Sequence, residues 1–105
     1  MQFFRLSIVT KIERNTALSQ VRDYVSEQGG WSVDHTLFSN MAATLNVELP
    51  MVSLADFITS LEQAGYSPKT ETPPPAGDGG DIRVSISLTF IHNDPDLKQT
   101  VPAFG

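Results

Sequence analysis

Residues 82–91 alternate without a break: Ile82, Val84, Ile86, Leu88 and Phe90 share one face, and Arg83, Ser85, Ser87, Thr89 and Ile91 share the other. A period of two sustained over this length is the pattern of a β-strand with one face on a core. A strand of this kind cannot stand alone. It needs neighbours with the same one-sided pattern and a cover for the apolar face.

The rest of the chain offers both. Residues 2–10 put Phe4, Leu6 and Ile8 on one face and Phe3, Arg5, Ser7 and Val9 on the other. Residues 31–38 set Trp31, Val33, His35 and Leu37 against Ser32, Asp34, Thr36 and Phe38. Residues 42–49 turn Ala43, Leu45, Val47 and Leu49 inward, with Ala42, Thr44, Asn46 and Glu48 outward. Ser39 and Asn40 suit the hairpin turn between these two strands. Two segments switch to helical spacing. In residues 16–28, Ala17, Leu18, Val21, Tyr24 and Val25 form one stripe, with Asn15 or Thr16 as N-cap and Gly29-Gly30 as the stop. In the second, Leu54, Phe57, Ile58 and Leu61 form the stripe, and Gly65 ends the helix. Ser53 is its expected N-cap, Val52 and Phe57 an expected hydrophobic staple, and Tyr66 is placed to pack back on Leu61.

This order predicts one α+β domain over residues 1–105: a ferredoxin-like βαββαβ plait with both helices on one face of a four-stranded antiparallel sheet. Right-handed crossovers predict the spatial order fourth, first, third, second, with residues 2–10 and 42–49 as the central pair. Residues 67–81, SPKTETPPPAGDGGD, read as a flexible Pro/Gly loop, and residues 93–105 as an irregular tail.

The element order, the Gly29-Gly30-Trp31 entry to the second strand and the second helix SLADFITSLEQAGY together resemble the ACT-like group of small ferredoxin-fold regulatory domains, over roughly residues 2–91. The resemblance implies a regulatory domain that takes a small ligand. ACT-like domains bind amino acids at a glycine turn before the first helix. Here that stretch is Lys11-Ile12-Glu13-Arg14-Asn15-Thr16.

Charge and residue usage narrow the function. The chain has 7 Lys and Arg against 12 Asp and Glu, a net charge of −5. An acidic plait whose third strand offers Ala42, Thr44, Asn46 and Glu48 lacks the basic, aromatic face that stacks RNA, so no nucleic-acid partner is expected. With no cysteine, thiolate metal sites, disulfides and Cys nucleophiles are absent. A reducing cytoplasmic setting is expected. The opening MQFFRLSIVTKIERN does not read as a signal peptide, and no apolar run reaches membrane-spanning length.

Several residues stand out as candidate sites. Lys11 and Arg14, with the backbone of Asn15 and Thr16 at a helix start, form a candidate site for a small anionic ligand. His35 is expected at the rim of the core, and Trp31 and Tyr66 as lids over the helix–sheet packing. His92 with Asp94 and Asp96 has no recognisable metal-ligand spacing and reads as a turn. No nucleophile motif or arranged triad appears, so no cofactor is expected and the balance falls against catalysis. On the outward sheet face, Phe3, Arg5, Val9, Phe38, Arg83 and Ile91 make a candidate homodimer interface, formed through the sheet face or a sheet edge. Two alternatives remain: a dimeric α+β barrel enzyme with Arg5 and Arg83 inside its cavity, and a partner-binding module using the 67–81 loop.

Overall fold

The computed structural model describes residues 2–73 and 79–91. The chain is α+β, with two helices against one face of a five-stranded mixed sheet. Strand β1 spans Gln2–Thr10, helix α1 Arg14–Glu27, β2 Trp31–Ser39 and β3 Ala42–Pro50. A 3₁₀ turn, Met51–Ser53, leads into α2, Leu54–Gln63. A two-residue strand β4, Lys69–Thr70, precedes β5, Asp81–Phe90.

The order across the sheet is β2-β3-β5-β1-β4. Alternation predicts four antiparallel strands centred on residues 2–10 and 42–49; instead β5 is central, parallel to β1 and antiparallel to β3. The connector expected to be a loop also supplies a strand. Lys69 and Thr70 pair with Ser7 and Leu6 at the outer edge of β1. Arg5 C=O accepts from Glu71 N–H at 2.9 Å, and Arg5 N–H donates to Thr72 Oγ1 at 3.1 Å. That pairing lies on the outer edge of β1, and β5 lies on the other side, between β1 and β3. The middle of this connector, residues 74–78, lies outside the described residues, as do His92, Asp94, Asp96 and the tail.

The inward faces of three strands behave as their alternation predicts. Phe4, Leu6 and Ile8 on β1, Ala43 to Leu49 on β3, and Ile82 to Phe90 on β5 are buried under Ala17, Leu18, Val21 and Val25 of α1 and Leu54, Phe57 and Leu61 of α2. Leu45 and Ile86 sit opposite one another at the centre, both without solvent exposure.

The helix ends differ in how well their chemistry was foreseen. Gly29, at φ +80°, stops α1, and the Gly30 N–H donates to Val25 O at 2.9 Å. Gly65, at φ +91°, stops α2; Tyr66 N–H donates to Leu61 O at 3.0 Å and the tyrosine ring is buried, as in a Schellman motif. At the start of α2 the expected staple is missing. The 3₁₀ turn runs straight into the helix, Ser53 makes no side-chain cap bond, and Val52 is exposed while Met51 is the residue turned into the core.

Strand β2 departs most from expectation. All of its residues are exposed, including Trp31, Val33, His35 and Leu37, which the alternation placed inward. Helix α1 reaches β2, with Arg22 beside His35, but leaves every β2 side chain largely open to solvent. Two irregularities also break its pairing with β3, between Ser32 and Asp34 and between Leu37 and Ser39. Val33 and Phe38 are the extra residues. The first irregularity puts Trp31 opposite Glu48 on the open face, while His35 and Leu37 oppose the inward Leu45 and Ala43. Trp31 is therefore no core lid, while His35 keeps to the helix side as expected but is exposed there beside Arg22.

Candidate functional site

The start of α1 is built by a residue the sequence reading passed over. Glu13, not Asn15 or Thr16, is the N-cap: its carboxylate accepts from Asn15 N–H at 2.9 Å and Thr16 N–H at 3.0 Å. Those bonds, the Asn15 amide first, hold the Glu13 carboxyl below its ordinary value. The two amides named as an anion cradle already hold this carboxylate. Lys11 and Arg14 line a shallow depression of about 180 Å³ with Ile12, Glu13, Asn40 and Ile91. Arg14 is turned to the β2–β3 hairpin, where its Nη1 donates to Asn40 Oδ1 at 3.3 Å. Its Nε is buried and has no hydrogen-bond partner.

The open face of the sheet is ordered in rows by strand register. One row runs Phe3, Arg83, Glu48, Trp31; the next Arg5, Ser85, Asn46, Asp34; then Ser7, Ser87, Thr44, Thr36; then Val9, Thr89, Ala42, Ser39. Arg83 and Glu48 form an ion pair within the first row, with Arg83 Nε 3.0 Å from Glu48 Oε2. Asn46 Nδ2 donates to Asp34 Oδ1 at 2.7 Å in the second. The middle of this face is thus a band of hydroxyls and short polar contacts, and its large apolar groups lie at the margins. Of the interface candidates, Phe3, Arg5, Val9, Phe38 and Ile91 are exposed, while Arg83 is half-buried and engaged by Glu48.

The β2 edge is the third region. Trp31, Val33, Leu37 and Phe38 are 49%, 40%, 48% and 67% exposed, and Met41 in the adjoining turn is 52% exposed. Along residues 31–39 there is no Lys, Arg or Pro; what interrupts this free edge is Asp34 and the two irregularities at Val33 and Phe38. Two arginines of α1 reach towards this hairpin: Arg14 contacts its turn, and Arg22 Nη2 lies 2.9 Å from His35 Nδ1. A guanidinium only donates, so His35 accepts at Nδ1 and carries its proton on Nε2.

Among the described residues, no three His, Asp or Glu side chains come together to hold a metal ion, and no helix is long and apolar enough to cross a membrane. In comparisons with known proteins, the chain matches no family model, no curated protein and no solved structure.

Proposed function

We propose that this protein is a non-catalytic assembly domain, in which a small α+β scaffold presents β2 as an edge that accepts a further strand. One observation carries the reading: every residue of β2 is exposed, and its apolar residues Trp31, Val33, Leu37 and Phe38 have no cover. Exposed apolar side chains gathered on one element mark interaction sites, and a free edge strand, here with a regular stretch over Asp34–Leu37 between two irregularities, is a template for pairing. The order of the long elements, βαββαβ, keeps the ferredoxin-like and ACT-like comparison relevant and favours a regulatory or assembly role. The barrel-enzyme alternative draws less support, because Arg83 is already engaged by Glu48 on the face that would line the cavity.

The test uses a tagged protein in extract of its own cells. The protein is expected to migrate above monomer mass by gel filtration, and the Val33→Lys plus Leu37→Lys variant to migrate as a monomer. Migration of the unaltered protein at monomer mass throughout contradicts the reading.

A further inference from the structure

We infer that the strand accepted by β2 is β2 of a second copy, running antiparallel about a two-fold axis beside His35, so that two sheets become one continuous sheet. This rests on the reading of β2 as a strand-accepting edge and names its occupant.

The first argument is the distribution of the exposed groups. Trp31 opposes Glu48 on the open face, whereas Leu37 opposes the buried Ala43 on the helix side. A second sheet stacked on the open face covers Trp31 and leaves Leu37 in water. A strand added at the edge carries side chains on both faces and meets both.

The second argument is self-complementarity. Between the two irregularities, Asp34–Leu37 is the regular stretch of β2, and His35 lies within it. An antiparallel copy with His35 on the axis pairs residues equidistant from it. Val33 then meets Leu37, Asp34 meets Thr36 and Trp31 meets Ser39, each pair occurring twice by symmetry. Val33 and Leu37 face each other, Trp31 and Phe38 each face a serine, and the strand's single carboxylate, already bonded to Asn46, faces a hydroxyl and not its own copy. A shift of axis by one residue either way sets Asp34 opposite itself or opposite Phe38.

The third argument is size. Trp31, Val33, Leu37, Phe38 and Met41 expose on the order of 500 Å² per copy, in the upper part of the roughly 300–600 Å² of a monomer's largest apolar patch. With the backbone of the edge added, the area approaches the roughly 800 Å² per partner of a standard stable interface.

Sedimentation of the purified full chain decides the matter. The expected result is a species of twice the monomer mass at micromolar concentration. Val33→Lys plus Leu37→Lys should halve that mass with an unchanged far-ultraviolet circular dichroism spectrum, and should remove the dependence of the melting temperature on protein concentration. Phe3→Asp plus Val9→Asp, on the far margin of the open face, should leave the dimer intact. Because the chain has no cysteine, single substitutions also report the register. His35→Cys should cross-link to its mate under mild oxidation; Ser32→Cys, about 20 Å from its mate in this register, should not. A purified protein that stays monomeric at hundreds of micromolar overturns the second-copy inference. If the extract assembly still depends on β2, the broader function survives and the occupant is another protein. Dissociation by the open-face pair but not by the β2 pair, or cross-linking through Ser32→Cys in place of His35→Cys, also overturns it.

Discussion

At Gly30 the chain leaves α1 and passes close under β3. A Cβ built there would lie 2.4 Å from Glu48 O and 2.9 Å from Leu49 Cβ, and neither neighbour is the free end of a flexible side chain. Gly30→Ala is therefore expected to cost ~1–3 kcal/mol in a denaturant titration, through forced backbone displacement. A loss of a few tenths would show that the approach is looser than described. Leu45 tests the core from the opposite direction. It is fully buried opposite Ile86, so Leu45→Ala should cost ~2–5 kcal/mol through lost burial and a residual cavity. Glu13 carries a pH signature. Its carboxyl is held below the ordinary 4.5 by the Asn15 and Thr16 amides, so the folded state favours the ionised form. That contribution is fully present above the unfolded value and fades as pH falls through the folded one. The stability gap between the natural protein and Glu13→Ala should be widest near neutrality and shrink below about pH 4.5. A gap that is flat with pH would mean that the carboxylate is not the cap.

Among the elements, β4 does more than its length suggests. Its pairing with β1, extended by Glu71 N–H to Arg5 O and Arg5 N–H to Thr72 Oγ1, closes the outer edge of β1 and leaves β5 inside the sheet. Thr72→Val removes one acceptor at modest cost, ~0.5–1.5 kcal/mol. The clearer readout is local: amide exchange at Arg5 should accelerate while that of Leu45 holds. Equal protection of Arg5 before and after the substitution would remove β4 from the account. Which residues share a face was legible in the sequence for β1, β3 and β5, because alternation reports burial directly. The Gly29 and Gly65 stops were legible because a left-handed residue is required there. Strand order was not legible. Alternation says which way a side chain points and not which strand is its neighbour, and a two-residue strand has no period to detect. The cap at Glu13 was hidden by equally good capping residues at Asn15 and Thr16. The exposure of β2 was hidden because an uncovered edge strand alternates like a covered one, and the irregularities at Val33 and Phe38 leave no trace in composition.

On the scale of the whole molecule, two helices and five strands bury one face of the sheet well and leave one long strand, β2, paired on one side only and exposed along its length. The candidate site read from sequence at Lys11, Arg14, Asn15 and Thr16 survives as a depression, with its amides occupied by Glu13. The interface read as a sheet face or a sheet edge contained Phe38 but missed Trp31, Val33 and Leu37, all assigned to the core. Their exposure moves the weight of the argument from the face to the edge. Amide hydrogen exchange of residues 31–39, followed across protein concentration, tests that claim most directly. If β2 is an accepting edge for a second copy, the β2 amides that do not bond to β3 should gain protection as concentration rises from nanomolar to high micromolar, while β1 and β5 stay constant. Protection of β2 that is independent of concentration, with the protein monomeric throughout, would contradict it.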